Sequence, residues 1–561
     1  MKITRDRYAQ LYGPTAGDSI RLGDTDLWVT VAADDALYGD ELLGGCGKTL
    51  RDGLLVSPAS GGDSALDMVI TSVVILDPVL GVRKTNIGIK DGRIASVGRA
   101  GDPGHDPDVT GMVDSHTAIV PGEGLIATAG AVDSHVHLSS PELVPAALSA
   151  GVTTLVGMGL GGVWDVGCNP AYNLHTLFES WRGLPMNVAF LARGSTAAGA
   201  LHEHAIASGA GGFKVHEDFG ATPAIIDACL SAAEHADLPV ALHTDSLNES
   251  GSLHDTVDAT RGRTVHAYHV EGGGGHPNLL EILSVPHILP SSTTPTIPLT
   301  AATALELMPM TMTVHRQNDA IASDLAVSAS RIRERAIAAE NLLHDLGAIG
   351  IVNSDSMGMG RIAETIRRTW QLAHLCAHHA GQAGQSVDST ERVLRFLAKI
   401  TLNPAIAHGM AHEVGSLQVG RMADVVLWQP AWFGAKPELV LKGGFAVWGN
   451  VGSSSGSTRL GQPRAYRPYF GAVGSAPGRL SGVFVSGETL DDSRLRRALP
   501  SGLTYLRVSG SRALSRTDLS RNTATPTVVV PTDRSPVTVN GAEAHFHPAE
   551  VTPLGQLHHF A

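Results

Sequence analysis

Histidines, a lysine and an aspartate stand at the ends of short apolar runs in the central part of the chain. In AVDSHVHL, His135 and His137 are two residues apart, so both point to the same side of an extended strand. FKVHED repeats this spacing with Lys214 and His216. Three more apolar runs end in candidates of the same kind: His243 in LPVALHTD, His269 in TVHAYHVEG and Asp355 in GIVNSDS. Imidazole and carboxylate groups are typical ligands of divalent transition metals.

The lysine in this set indicates a more specific chemistry. An isolated ammonium is costly to bury, which favours the neutral amine at a site such as that of Lys214. A neutral amine can take up CO2 and form a carbamate, an anionic ligand that is able to bridge two cations. One aspartate, one carbamate and four imidazoles would then hold two divalent metals that share a bridging hydroxide. A lone histidine at a strand end is more often structural, whereas the HxH pattern favours a ligand.

The elements that position these residues alternate between strand-like and helical segments over residues 131–412. This alternation predicts an α/β protein with a TIM-like (β/α)8 barrel, in which functional side chains lie at the carboxyl ends of the strands. Residues 1–130 instead have the pattern of short β segments, and β-like runs return over 413–480. We expect both flanks to join into one composite β domain, with 481–561 as a mixed carboxyl-terminal extension.

Composition sets the broad class of the protein. The chain has 561 residues, of which 43% are hydrophobic and 17% charged, which excludes a mostly disordered protein. Its net charge of −13 disfavours binding to nucleic acid or to anionic membranes. The four cysteines form no CxxC pattern, which argues against a disulfide scaffold and against a thiolate zinc site. Without a signal-like or membrane-spanning apolar run, we expect a soluble cytoplasmic protein.

Other histidines have the spacing of metal ligands but a weaker context. His374 and His378 are four apart in a predicted helix, yet no acidic residue accompanies them in the sequence, so a second metal site is not favoured there. Two further HxH patterns end no barrel-type strand and are interpreted as surface or packing residues: His202 with His204, and His545 with His547.

Longer segments of the chain resemble a known family. GGFKVHEDFG, HVEGGGGH, SRIRERAIAAENLLHDLGA and NPAIAHGMAHEVGSLQVGRMADVVLW are similar to the alpha (catalytic) subunits of ureases, in the amidohydrolase superfamily. The likeness runs from YGPTAGDSIRLGDTDLW near the start to PLGQ near the end. It implies two nickel ions bridged by a CO2-derived carbamate on Lys214 and by hydroxide.

The resemblance also implies a role for each candidate residue. His243 and His269 would bind one nickel ion, and the ligands of the other would be His135, His137 and Asp355. His216 would hydrogen-bond the carbonyl oxygen of urea. His315 would be the general acid for the leaving ammonia, with Asp218 and Arg331 as supporting charges.

The sequence departs from the family pattern around the site, and its active-site flap is altered. Val314 stands where the family carries a flap cysteine, although His315 remains. Met357 and Gly358 replace glutamine and alanine after the aspartate ligand. These changes affect the surroundings of the substrate and none of the six metal ligands.

The implied activity is hydrolysis of urea to ammonia and carbamate, which then gives CO2. Two alternatives stay open: a related binuclear amidohydrolase acting on another small amide or cyclic ureide, and a urease paralogue of low or no activity. The resemblance further implies urease beta and gamma subunits, separate or fused, in a trimer of heteromers, and nickel-delivery accessory proteins. It implies no nucleic-acid or membrane partner.

Overall fold

The structure is a computed structural model, and it describes residues 2–43, 55–58, 64–158, 171–216, 220–244, 252–273, 276, 278–293, 295–382, 389–456, 461–533 and 535–556. In these ranges, no helix combines the length and the apolar character needed to cross a bilayer.

The described elements before the barrel are α1 (Arg5–Tyr12), β1 (Ser19–Arg21), β2 (Trp28–Thr30), β3 (Ala33–Asp34), β4 (Met68–Asp77), β5 (Gly81–Lys90), β6 (Arg93–Gly98), β7 (Ala100–Gly101), β8 (Gly111–Met112), β9 (Ala118–Pro121) and β10 (Ile126–Ala129). The sequence pattern predicted only β segments here and missed α1. This helix buries none of its residues, so it has no apolar periodicity to reveal it. It begins after Thr4, whose hydroxyl accepts a hydrogen bond from the backbone of Arg7.

Eight parallel strands form the barrel: β11 (Ala131–His137), β12 (Val152–Met158), β13 (Asn187–Arg193), β14 (Gly212–Val215), β15 (Val240–His243), β16 (Val265–Tyr268), β17 (Ile288–Ser292) and β18 (Ile351–Val352). They pair in chain order, and a bridge between Val136 and Ser356 ties the end of the series back to β11. Strands β11, β14, β15, β16 and β18 coincide with the five apolar runs that carry the candidate residues. The predicted TIM-like barrel is therefore confirmed.

The described helices of the barrel region are α2 (Leu143–Leu148), α3 (Ala171–Trp181), α4 (Gly199–Ala207), α5 (Pro223–Ala236), α6 (Leu253–Thr260), α7 (Thr303–Val314), α8 (Ala322–Arg331), α9 (Glu334–Leu346), α10 (Ile362–Gln382), α11 (Ser389–Ile400) and α12 (Leu402–Ala407). Helix α5 illustrates why they form. Thr222 caps it ahead of a proline in the first turn, and its buried residues Ile226, Leu230 and Ala233 recur at helical spacing. That face packs against β14 and β15, so both faces of these strands are covered.

The chain returns to the amino-terminal sheet through β19 (Val425–Trp428), β20 (Leu439–Lys442), β21 (Phe445–Val451) and β22 (Ala465–Pro468). The sheet runs in the order β22-β21-β20-β19-β10-β4-β5-β3, with β6 on β5 and β9 on β4. Strands from the two flanks meet where β10 pairs antiparallel with β19. The composite β domain is thus confirmed, while its exact limits at residues 130, 412 and 480 stay predictions.

A buried ionic link joins this sheet to the barrel. Lys442 of β20 pairs with Asp424, and its Nζ also donates to the carbonyl of Thr153, at 3.2 Å. Asn187 of β13 donates to the same Asp424 carboxylate, at 2.7 Å. Because both charges are buried and hydrogen-bonded on several sides, removing either partner would leave an uncompensated charge.

The remaining described elements are α13 (Ala476–Leu480), β23 (Gly482–Ser486), α14 (Gly487–Asp491), α15 (Ser493–Ala498), β24 (Thr504–Val508), β25 (Val528–Val529), β26 (Thr538–Val539) and β27 (Ala542–Glu543). Short 3₁₀ helices lie at Leu279–Ser284, Pro430–Trp432, Phe470–Ala472 and Arg516–Asp518. Strand β23 pairs in parallel with β13, so the carboxyl-terminal part extends the barrel sheet. Arg516 is fully buried, and its guanidinium donates to backbone carbonyls of Leu283, Ile288, Ala348 and Ala524.

Candidate metal centre and active site

The first and last strands of the barrel bring two histidines to one carboxylate. His135 and His137 lie at the carboxyl end of β11, and Asp355 follows β18. One carboxylate oxygen of Asp355 lies 3.4 Å from Nε2 of His135 and 2.9 Å from Nε2 of His137. The backbone of Asp355 is left-handed (φ 52°), and the amide of Asp355 donates to the carbonyl of His135, at 2.8 Å. The bridge that closes the barrel therefore also positions this ligand.

His269 reaches the same site from the end of β16. Its backbone amide donates to Oγ1 of Thr293, at 3.2 Å, and its Nδ1 lies 3.7 Å from a carboxylate oxygen of Glu271. The other oxygen of Glu271 accepts a hydrogen bond from the amide of Thr293, at 2.8 Å. Burial raises the pKa of Glu271, and the neighbouring His269 acts in the opposite direction. Glu271 is thus a buried carboxylate fixed beside the imidazole of a candidate ligand.

Three of the predicted ligands form a compact group. His135, His269 and Asp355 each offer one donor atom, and these atoms all lie within 4.8 Å of one another. All three residues are buried. Burial alone would raise the pKa of Asp355, but the charges of His135 and His137 outweigh it and hold that pKa well below its usual range. Two imidazoles and an ionised carboxylate so close together are a donor set suited to a divalent metal.

Tyr268 contacts both the lysine and the first histidine. The ring of Tyr268 stacks on His135 with centroids 4.0 Å apart, and Nζ of Lys214 lies 3.8 Å from the centre of the same ring. The phenol donates a hydrogen bond to the carbonyl of Ser134. Lys214 is 1% exposed. Sequence reasoning missed Tyr268, although its place directly before His269 was the available signal.

Two more predicted residues, His216 and His243, contact each other and His269 through their rings. His216, which follows β14, stacks on His243 at the end of β15 with centroids 4.0 Å apart. His243 then meets His269 edge-on at 4.4 Å. The backbone amide of His216 donates to Oγ of Ser195, at 3.0 Å. The described barrel mouth therefore brings together His216 and the six residues predicted to bind metal.

The predicted general acid, His315, is paired with Arg331. His315 caps the end of α7, and its Nε2 accepts a hydrogen bond from Arg331, the last residue of α8, at 2.9 Å. A bridge from Ile332 to Gly273 connects this part of the chain to the segment that carries His269 and Glu271. Asp218, the third predicted catalytic residue, lies outside the described residues.

A buried histidine pair lies behind Tyr268 and was not singled out in the sequence. Nδ1 of His266 is 2.8 Å from Nε2 of His408, and the ring of His266 meets Tyr268 edge-on. Burial lowers the pKa of His408 to about 3 and that of His266 well below its usual range. Both imidazoles are therefore neutral at physiological pH.

Comparisons with known proteins show the family of this chain. Residues 126–462 match the model of the amidohydrolase family, and residues 1–120 match that of the urease alpha-subunit N-terminal domain. A urease subunit alpha 2 from Streptomyces coelicolor is 46% identical over 561 residues, all of both chains. A urease subunit alpha from Sulfurisphaera tokodaii is 45% identical over 565 residues, again covering both chains completely. The chain belongs to the urease alpha subunit family.

Membership in the urease alpha family makes this protein a hydrolase of the amidohydrolase type. The family implies a binuclear metal centre, and the group formed by His135, His269 and Asp355 is a possible part of it. A solved D-hydantoinase structure also aligns, with 16% identity over 68% of this chain and 95% of that one. Its TM-score of 0.49 is too low to bear on the activity of this urease alpha family member.

Proposed function

We propose that this chain is the catalytic subunit of a urease and hydrolyses urea to ammonia and carbamate, which decomposes to CO2. One observation carries the proposal. Three buried metal-type ligands, His135, His269 and Asp355, converge within 4.8 Å at the mouth of the barrel, in a chain that is 46% identical along its whole length to a urease subunit alpha.

The ligand assignment is part of the proposal. His135, His137 and Asp355 would hold one nickel ion, and His243 and His269 the other. Both sets fit a divalent metal, because their donor groups are imidazoles and, in the first set, a carboxylate. Of these five residues His243 is half-buried and the others are buried. In the described part of the chain, Nε2 of His269 is buried without a hydrogen-bond partner, as expected of a nitrogen that binds a metal ion.

Lys214 would supply the bridging ligand. Its neutral amine nitrogen would attack the carbon of CO2, forming an N–C bond and releasing one proton, which leaves an anionic carbamate. The burial of Lys214 supports this, since a carbamate bound to cations is far easier to bury than an isolated ammonium. When bound, the two metals would polarise the urea carbonyl and provide hydroxide near neutral pH.

Protein groups would then orient the substrate and move the proton. His216 would donate a hydrogen bond to the carbonyl oxygen of urea, and its stacking on His243 would hold its ring in place. His315 would protonate the leaving ammonia. In the structure both of its ring nitrogens are engaged, so Nε2 would first have to gain a proton and exchange its contact with Arg331. Asp218 would add a supporting charge.

The assembly and its location are proposed on the family likeness. The relatives are named as alpha subunits of urease. We propose that this chain works with urease beta and gamma subunits in a trimer of heteromers, and that nickel-delivery proteins load it. Location in the cytoplasm and the lack of nucleic-acid and membrane partners remain predictions from the sequence.

The direct test is to express the chain with its partner subunits and nickel, and to measure metal content and ammonia release from urea. We expect two nickel ions per chain and urea turnover. Two bound nickel ions without turnover would contradict the enzymatic role. Preference for a hydantoin-like ring over urea would instead support the alternative amidohydrolase.

A lysine variant tests the bridging ligand. Lys214→Ala should lose both metals and the activity, with partial rescue by a small carboxylic acid such as formate. Lys436→Ala is a matched control, since Lys436 also lies over a tyrosine ring, 4.9 Å from the centre of Tyr466, but in the β domain. Full metal content in Lys214→Ala would refute the carbamate bridge.

A further inference from the structure

A second group of histidines meets on the surface, away from the strand ends of the barrel. A cleft of 530 Å³ lies between α10 and the carboxyl-terminal segment. Its walls carry His374, His378 and His379 from α10 and His547 from that segment, next to His545. We refer to these five residues as the histidine cleft. The two histidine patterns are about 170 residues apart in the sequence, and the fold brings them together.

His545 and His547 are arranged like the two arms of a chelate. Their Nε2 atoms are joined by a hydrogen bond of 3.1 Å, and their rings are almost perpendicular. Two imidazoles that bind one cation through bonds of about 2.0–2.1 Å, at angles near those of a tetrahedral or octahedral site, hold their nitrogens roughly 2.8–3.4 Å apart. The observed separation lies within that range.

Phe546 anchors the segment that carries His545 and His547. It is buried in the main hydrophobic core, whereas the histidines on either side of it are exposed, so both imidazoles project from the same surface. The ring of Phe546 also stacks on His379 of α10, with centroids 5.0 Å apart.

The structure also supplies the acidic neighbour that the sequence around His374 lacks. The backbone amide of Asp26 donates to Nδ1 of His374, at 3.0 Å, and a carboxylate oxygen of Asp26 lies 3.9 Å from the same nitrogen. Asp26 and Glu550 both line the cleft. Carboxylates beside neutral imidazoles offset the charge of a bound cation.

We propose that the histidine cleft binds one divalent transition-metal cation through His545 and His547, at a site separate from the barrel centre. Ni²⁺ and Zn²⁺ are of the right class, because imidazole suits both. Among the described residues, only the barrel group has three donor atoms within 4.8 Å of one another. The cleft therefore holds its cation by two imidazoles, with water completing the coordination, and binds it more weakly than the barrel centre does.

The test uses the full chain with its partner subunits and NiCl2 as the probe. After treatment with a chelator, nickel uptake is measured by titration calorimetry and by elemental analysis of the gel-filtered complex. We expect the His545→Ala/His547→Ala variant to bind one nickel ion per chain fewer than the unmodified protein and to retain its urea turnover. The matched control is His235→Ala/His254→Ala, which removes two exposed histidines from α5 and α6 and should bind as much nickel as the unmodified protein.

Three results would overturn the proposal. The first is equal nickel uptake by the unmodified protein and by His545→Ala/His547→Ala. The second is an equal loss in the control variant, which would reveal unspecific binding by surface histidines. The third concerns His558 and His559, which lie outside the described residues. If His558→Ala/His559→Ala loses the ion while His545→Ala/His547→Ala keeps it, then His545 and His547 are not the ligands.

Discussion

Arg331 donates a hydrogen bond to Nε2 of His315 over 2.9 Å, and this contact fixes where the proton of that imidazole lies. A guanidinium offers only donors, so Nε2 must be unprotonated. The carbonyl of Thr311 is only an acceptor, and it lies 2.8 Å from Nδ1. His315 is therefore held as the neutral tautomer with its proton on Nδ1.

The first prediction follows from this pairing. His315→Ala should lower kcat by about 10²- to 10⁴-fold with little change in KM, because proton delivery matters mainly in the transition state. Arg331→Met should lower kcat less, and the double variant should be no worse than His315→Ala alone, since Arg331 acts through His315. Steady-state kinetics on urea measure all three, and Arg335→Met, four residues further along, is the control. Additive losses in kcat would show that Arg331 acts independently.

The second prediction concerns the carboxylate beside His269. Glu271→Gln should weaken metal binding by about 10- to 100-fold, because the carboxylate that orients the imidazole and strengthens it as a ligand is lost. Metal affinity is measured by competition with a chromogenic chelator. Glu334→Gln, at an exposed position of α9, should bind metal as the unmodified protein does. An unchanged affinity in Glu271→Gln would mean that Glu271 has only a packing role.

The third prediction is resistance to thiol reagents at the described cysteines. Burial raises the pKa of Cys229 to about 12 and also raises that of Cys376, so neither forms the reactive thiolate near neutral pH. Val314 offers no thiol at the flap position. In the native protein at pH 7.5, iodoacetamide should leave both cysteines unmodified, as read by peptide mass spectrometry, and guanidinium should expose them. Rapid native labelling of either one would contradict the packing around it.

The fourth prediction is a loss of stability in acid that originates at His344. Burial lowers its pKa to about 4, and Glu340 opposes that shift only in part. Because the unfolded chain takes up this proton near pH 6.5 and the folded chain does not, stability is complete above pH 6.5 and falls as the pH drops towards 4. The loss between pH 7.5 and pH 5 is about 2 kcal/mol.

Guanidinium unfolding at several pH values measures this effect. His344→Leu should remove about one proton from the slope of stability against pH in that window. His378→Leu is a suitable control, because His378 is an exposed histidine of α10. Equal slopes in His344→Leu and the unmodified protein would assign the acid sensitivity to other groups.

The sequence predicted the strands of the barrel because their apolar runs are covered on both faces and bounded by turns. Helix α1 was missed, since it buries none of its residues and leaves no periodic pattern. The join of β10 to β19 was expected only in outline, because register between segments some 300 residues apart depends on tertiary packing.

For the site, the strand ends predicted which side chains would meet, and the assigned roles remain predictions. What the sequence could not supply is orientation. The stacking of Tyr268 on His135, the approach of Glu271 to His269 and the facing nitrogens of His545 and His547 all depend on side-chain directions. The sequence around His374 contains no acidic neighbour, yet the fold places Asp26 beside it from a distant part of the chain. Local sequence therefore could not predict this contact.

Arg516 has a consequence for the order in which the molecule can be made. Its guanidinium donates to the carbonyls of Leu283, Ile288 and Ala348, which lie at or shortly before the starts of β17 and β18. These carbonyls belong to parts of the chain that leave the ribosome long before residue 516. The carbonyls of Leu283, Ile288 and Ala348 therefore gain this side-chain partner only when synthesis is nearly complete.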